Sequence, residues 1–537
     1  MKSAFACLAV AVVLLVASGC ARRETPSEAG IASGTLLLGN GAEPQDLDPT
    51  TSTAYTDYNV LISLFEGLTC IDETSSEAVP GMASSWDVTP DGLVYTFHLR
   101  AGLVWSNGDP LTSEDFAYTI RRALTPKLGA EYSYLFYPIK NAEAYNLGRL
   151  SDPRVLGVTV VDPRTLRLTL QAPCPYLPAV AAHQAWFPVH RATLEKFGAF
   201  DRPGTPWTRP ENMVSNGPFV LREWIPHDRI VVEKNPRYWD AARNRLNRVI
   251  FFPTDNTSVD EANFRAGQVD VTFDLLTDRI AHYRQEDPGE LRVDLLSESD
   301  FLRFNTEQAP LNDARVRRAL SLAINRKTLC EDVLNGSRVP AYALTPPNTA
   351  GYTPDAGTAY DPATARRLLA AAGYPSGHEF PKLDLLLWPD AISGKVVQAI
   401  QQMWRRELGI TVSITSQEFR SYLESQQSLH YQISRSRWVG DYNDPSNYLD
   451  MFISTSGNNQ TGWSNLIYDH LETSANQLLD RQRRYALLHN AETLLLREAP
   501  IAPLFYGSRT FLIKPYVKGW VPSLLGIHRY QYVWLER

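Results

Sequence analysis

Five cysteines and five methionines in 537 residues, no long apolar run after residue 17 and no surplus of positive charge bound what this chain does. Lys and Arg number 52 against 59 Asp and Glu, a formal net charge of −7, so there is no large basic field to hold nucleic acid. The longest apolar run, residues 4–17, falls short of the roughly 20 residues a spanning helix needs. Past Cys20 the cysteines are Cys70, Cys174 and Cys330. An odd number without C-x-x-C spacing permits at most one intramolecular disulfide and argues against a zinc centre. G-x-S-x-G, H-E-x-x-H and G-x-x-x-x-G-K-[ST] are all missing, so the common hydrolases, zinc proteases and phosphate-loop enzymes are not signalled. His183 and His190 are seven apart and do not pair on one helical turn. The close acids Asp46 and Asp48, and Glu114 and Asp115, serve caps and turns as readily as acid–base work. No catalytic residue, metal or cofactor is expected. A secreted hydrolase or folding chaperone is the competing class, and no motif supports it.

What is present begins with Lys2 and an apolar segment leading into "VASGC", which reads as a signal peptide. Small residues before Cys20 resemble the lipobox of bacterial lipoproteins, where the thiol receives a lipid, although Ala17 stands where Leu or Val is commoner. The alternative is an ordinary signal peptide cut near the same point. Residues 21–34, "ARRETPSEAGIASG", are small and polar and read as a flexible tether.

The length calls for two or three lobes. In the first third, Tyr95, Phe97 and Leu99 alternate with polar residues after a "TPDG" turn, and "VTVVDPRTLRLTL" repeats the pattern with Leu166, Leu168 and Leu170 on one face. Residues 75–175 are therefore expected to be β-rich. Later the period becomes helical. Val316, Ala319, Leu320, Ala323 and Ile324 share a face of one helix expected from 312 to 335. "DPATARRLLAAAGY" places Asp361 as N-cap, Pro362 at N1 and Gly373 past the end. Val396, Val397, Ile400 and Trp404 lead to Gly409 and a strand alternating Ile410, Val412 and Ile414, an α/β unit that "EANFRAGQVDVTF" repeats in miniature.

"WSNGDPLTSEDFAYTIRRAL" at 105–124 resembles the signature of the oligopeptide-binding proteins of bacterial ABC importers, extracellular solute-binding protein family 5. "PQDLDP" at 44–49, "LFEGL" at 64–68, "NGPFVLREWIPHDRIVVEKNPRYWD" at 216–240, "APLNDARVRRALSLAINRKTL" at 309–329 and "GDYNDPSNYLDMF" at 440–452 follow in the family's order. The resemblance covers essentially the whole mature chain. It implies an α/β, type II periplasmic-binding-protein-like fold in its large three-domain form, two α/β lobes around a ligand cleft plus an extra β-rich domain. The expected partition is signal peptide 1–20, tether 21–34, domain I from 35–65, 197–297 and 506–537, domain II from 66–196, and domain III from 298–505. A monomeric, lipid-anchored receptor outside the cytoplasm is implied, closing by hinge motion on a peptide and delivering it to permease subunits.

In the family an aspartate of domain III pairs with the ligand's α-ammonium, and by position it matches Asp441. Within "RWVGDYNDPSNYLDMF", Asp444 and Pro445 already supply an N-cap and N1, which leaves Asp441 without that task. Trp438 either lines a side-chain pocket or packs in the core. Arg435 either takes a ligand carboxylate or carbonyl, or pairs with Asp441 or a neighbour. Gly440, Tyr55 and Tyr506 fall on cleft-facing segments, and Arg303 stands where an acid is expected. Thr53, Ser393, Gln426, Asp332 and Leu334 depart from the polar residues of other peptide binders. Glu298 and Val439 replace two cysteines that bridge adjacent strands in some relatives. These departures keep a second reading open, the same receptor role for a muropeptide, an opine or sugar derivative, or a chelated metal.

Overall fold

The computed structural model describes residues 24–390 and 392–536; the signal segment and Cys20 lie outside them. Where a tether was expected, Pro26–Ser33 is a helix. Thr25 accepts from the Glu28 amide, the Glu28 carboxylate accepts from the Thr25 amide, and Gly34 at φ 67° ends the helix. The composition reading missed this T-x-x-E capping box with Pro at N1. Ser27 then donates its amide to Gly267 O at 3.0 Å, fastening the segment to the body.

Three sheets organise the chain. In the first, Thr35–Gly39 runs parallel to Arg248–Phe252, which pairs antiparallel with Arg229–Lys234 and through it Phe219–Ile225. The second lies in the expected β-rich stretch, Ala83–Val88, Val94–Leu99, Thr165–Thr169 and Val158–Asp162 in spatial order, all neighbours antiparallel. Tyr95, Phe97, Leu99, Leu166 and Leu168 are buried, as period-two alternation over a one-sided core requires. One apolar core runs unbroken from Leu36 and Phe219 of the first sheet to Phe97 and Leu166 of the second.

The third sheet has six strands, in the order Val339–Pro340, Ile501–Leu512, Leu291–Phe304, Ile433–Val439, Leu383–Leu387, Val412–Ser416. Leu383–Leu387 is paired parallel on both sides, and its four leucines suit a strand covered on both faces. Leu291–Phe304 and Ile501–Leu512 are long enough to join two bodies. At one end Leu512 packs with Phe264 and Ile280; at the other, Leu302, Phe304, Ala502 and Leu504 belong to the core around Trp404. Their pairing is irregular between Leu295 and Ser299, between the two ends.

Asp361 caps the helix Pro362–Ala371 through the Thr364 amide, and Gly409 at φ 72° ends Ser393–Leu408. The long helix expected from 312 to 335 is broken. Ala314–Leu322 stops at Ala323, and Asn325 caps a new start, Arg326–Thr328, that widens over Leu329–Val333. An internal Asn that bonds the backbone ahead of it competes with helix continuation. After the helix Thr257–Arg265 there is no full strand, only single bridges from Val271 to Leu38 and Ile513. Cys70, Cys174 and Cys330 are buried free thiols.

The stretches that carry the resemblance meet one another. Asp48 of "PQDLDP" receives both terminal nitrogens of Arg122 from "RRAL" at 2.8 and 2.5 Å, both side chains fully buried. The Glu66 backbone of "LFEGL" donates its amide to Asn216 Oδ1 and accepts Asn216 Nδ2 on its carbonyl, and the Glu66 carboxylate takes Trp239 Nε1 at 2.8 Å. A Cβ on Gly217 would lie 2.4 Å from the Leu64 carbonyl carbon, so that crossing needs glycine. These motifs are scaffold contacts. Asp115 makes the capping box of Ser113–Ala123 with Thr112.

In the third lobe, the body built on the six-stranded sheet, Glu472 is fully buried. Burial, and then the neighbouring Asp450, hold its carboxyl well above the usual range, and burial raises Asp450 to about 6. With folded values above unfolded ones near 4, the stabilisation these carboxyls give is fully present below pH 4. It is lost as pH rises through the folded values. Glu472→Gln is therefore expected to raise the unfolding temperature at pH 8 by several degrees and to change it little at pH 5, measured by calorimetric scans at both pH values.

Candidate functional site

Strand Ile433–Val439 ends in a turn whose residues are held one by one. Gly440 N donates to Ser297 O at 2.8 Å, and a Cβ there would lie 2.6 Å from Ser297 Oγ and 2.9 Å from the Tyr448 hydroxyl. Glycine is what lets the chain pass. Asn443 is buried and donates Nδ2 to Ser76 O of the β-rich domain. Asp444 accepts from the Ser446 amide and hydroxyl and takes Arg484 on both oxygens at 2.8 and 2.6 Å. The expected capping by Asp444 is thus present, but the helix is only Ser446–Leu449 with Pro445 at its N-cap position. The larger task of Asp444 is a buried ion pair.

Between these fixed points Asp441 opens into a cavity of about 270 Å3. Three walls meet there: Thr53, Tyr55 and Tyr58 from the first lobe, Tyr132, Ala179 and His183 from the β-rich domain, and residues 439–443 from the third lobe. Asp441 keeps contact with solvent. The crowding walls strip enough water to raise its carboxyl above the usual range, while a hydrogen bond from Tyr134 works the other way. His183 is pushed down to about 4 by burial, and its Nδ1 accepts from the Ala185 amide at 3.2 Å, so the ring is neutral at physiological pH. Among the described residues, Asp441 is the one charged side chain lining the cavity. Tyr442 stacks on Tyr176 across the domain boundary, centroids 4.8 Å apart and planes 9° from parallel.

The structure brings Asp441, Gly440, Tyr55 and Thr53 together at this cavity. The Tyr55 hydroxyl donates to Gly526 O and receives Arg509 at 2.9 Å, which leaves its ring as wall. The other expected residues sit elsewhere. Trp438 donates Nε1 to Asn447 Oδ1 at 2.8 Å and packs against the core around Phe301 and Phe452. Arg435 is fully buried and makes ion pairs with Asp300 at 2.6 Å and Asp390 at 2.8 Å. Its partners are therefore those acids and not Asp441, which lies beyond the end of the strand that carries Arg435. Although burial opposes it, the Arg435 hydrogen bond brings Asp390 down to about 2. Arg303, 4% exposed, donates to Ser436 Oγ at 3.1 Å and Asn458 O at 2.7 Å inside the lobe. The Tyr506 hydroxyl is shared between Ala343 O and Thr345 O. Ser393 accepts from Arg435, and Gln426 donates to Ser434 and Ser436, filling the sheet interior. Glu298 and Val439 face one another across the strand pair, the place expected for the absent disulfide.

Sequence reasoning missed Tyr132, Tyr134, His183 and Tyr442. Nothing local marks the first three, which join Asp441 only through the packing of segments about 260 to 310 residues apart, whereas Tyr442 directly follows Asp441 and gave no sign of its stacking on Tyr176.

A cleft between two α/β bodies joined by two long strands, with an acid on one lip and aromatic walls, defines a solute-binding protein. Residues 77–460 match the bacterial extracellular solute-binding proteins, family 5, and the chain belongs to that family. It is 36% identical over 491 residues, 89% of each chain, to the "Probable deoxycholate-binding periplasmic protein YgiS" of Escherichia coli. With the periplasmic murein peptide-binding protein MppA of Escherichia coli it shares 34% identity over 89% of this chain and 88% of that one. An MppA structure in unliganded open form superposes with a TM-score of 0.88 at 33% identity, covering 94% and 97% of the two chains. OppA of Haemophilus influenzae in complex with the peptide RPPGFSPFR scores 0.67 at 31% identity, covering 94% and 99%. Of these two structures, the one in open form gives the higher score.

Proposed function

We propose that the protein is the substrate-binding receptor of an ABC importer. It takes short peptides between its first and third lobes by hinge closure and presents them to a membrane permease. The observation that carries this reading is Asp441, held on a braced turn and, among the described residues, the lone charged side chain lining the cavity. A ligand ammonium completes such a site, and nearly every free peptide has one. The likeness to an open form supports closure on ligand, since a ligand shifts the lobe equilibrium by its extra contacts in the closed state. The domain partition given above apart from its tether, whose residues 26–33 join the body as a helix, together with export to the periplasm, a lipid on Cys20 and a monomeric receptor, are parts of the same proposal.

Mass spectrometry of what co-purifies, followed by calorimetry of the stripped protein with short peptides, tests it. Peptides bound with micromolar or tighter affinity support the reading; an abundant bile acid or sugar derivative, with no peptide binding, overturns it. Two further outcomes follow from the site. Affinity for a free peptide falls as pH drops, because protonated Asp441 no longer attracts the ammonium. The fall begins above the ordinary aspartate range, since the carboxyl is raised. Tyr134→Phe removes the hydrogen bond that favours the ionised form and is expected to shift the fall to higher pH in a calorimetric pH series.

A further inference from the structure

Whatever group stands next to the ligand's ammonium must share the cavity with Asp441, because the two are separated by only a carbon atom or two. The composition of this cavity is narrow. Tyr58, Tyr132, Tyr442 and His183 present rings, Ile71 and Leu525 present aliphatic surface, and neither lysine nor arginine lines it. The rings are mutually fixed. Tyr132 meets His183 edge-on at 4.5 Å, Tyr58 lies 6.0 Å from the same imidazole, and Tyr442 is stacked on Tyr176.

This chamber is built before the lobes close. The turn from the third lobe already touches the β-rich domain through Tyr442, stacked on Tyr176, and Asn443, which donates to Ser76 O. It therefore does not depend on an induced arrangement. A flat or bulky apolar group is removed from water against these rings and gains the edge-to-face contacts that aromatic pairs favour. An acidic group finds no cation and lies beside the Asp441 carboxylate, where like charges in a partly dry site repel.

We propose that this chamber makes the receptor selective at the first residue of its ligand, favouring peptides led by an aromatic or large aliphatic residue and rejecting those led by an acid. The proposal rests on the reading of Asp441 as the ammonium anchor. Calorimetry with Phe-Ala-Ala, Gly-Ala-Ala, Glu-Ala-Ala and N-acetyl-Phe-Ala-Ala separates the two ideas. The Phe-led peptide is expected to bind roughly tenfold or more tighter than the Gly-led one, the scale of burying one such side chain. The Glu-led peptide is expected to be the weakest of the three free peptides. Equal affinities for the three, with binding lost on acetylation, overturn the selectivity and leave the anchor standing. Undiminished binding of the acetylated peptide overturns the anchor, and with it the proposal. Tyr132→Ala, checked for folding by circular dichroism and thermal unfolding, locates the effect: it is expected to weaken the Phe-led peptide severalfold more than the Gly-led one. A loss shared equally by both peptides counts against the chamber.

Discussion

Asp441→Asn is expected to weaken binding of a free tripeptide at pH 7 by about 10- to 100-fold. A hydrogen bond to a charged group contributes about 1.5–3 kcal/mol net, and each 1.4 kcal/mol is a factor of ten. Asparagine keeps the shape of the side chain and an oxygen that can accept from Tyr134, so the change removes charge and little else. The decisive comparison is a cycle in which the peptide is also N-acetylated. If Asp441 meets the ammonium, acetylation and the substitution each cause the loss and together cost no more than one alone. Additive losses would place the ammonium elsewhere in the cleft.

The second large effect concerns stability. Asp444→Ala is expected to destabilise the third lobe by about 3–5 kcal/mol, the usual consequence of leaving one charge of a buried pair alone. The guanidinium left behind is that of Arg484, 3% exposed, with the rings of Tyr176 and Tyr485 within 6 Å. The same carboxylate also receives the Ser446 amide and hydroxyl, so the turn that carries Asp441 loosens as well. Denaturant unfolding followed by tryptophan fluorescence measures the first effect, and peptide calorimetry on the folded variant measures the second. Replacing both partners, Asp444→Leu with Arg484→Met, is expected to recover much of the stability, because no charge is then stranded. It is expected not to recover affinity. A double variant as unstable as Asp444→Ala would mean that the turn contacts of Asp444, rather than the ion pair, hold the lobe together.

Much of the architecture could be read from local pattern because local rules produce it. Alternation placed Phe97 and Leu166 in the core; Asp361, Pro362 and Gly409 marked helix ends that stand where they were expected. Where the pattern misled, a competing local bond was responsible. Asn325 interrupted a helix whose apolar face continued past it, and Thr25 with Glu28 folded a segment whose composition resembled a linker. At the site, the expectation for Arg435 failed for another reason. Its positive charge made it a plausible ligand contact, yet Asp300 and Asp390 approach it from distant segments.

By itself, then, the sequence determined the strand and helix periods, the scaffold motifs that cross one another, and the candidacy of Asp441, whose neighbours Asp444 and Pro445 already had work to do. Only the tertiary structure decided that Asp441 shares its cavity with four tyrosines and a neutral histidine, that Tyr132 and His183 reach it from another domain, that Arg435 and Arg303 are engaged inside the third lobe, and that the Tyr506 hydroxyl is taken up by backbone carbonyls. The physical reason is one of range. Backbone conformation and amphipathic period are set by neighbours within a few residues, whereas the charge balance and walls of a cleft are sums over side chains brought together by packing from hundreds of residues apart.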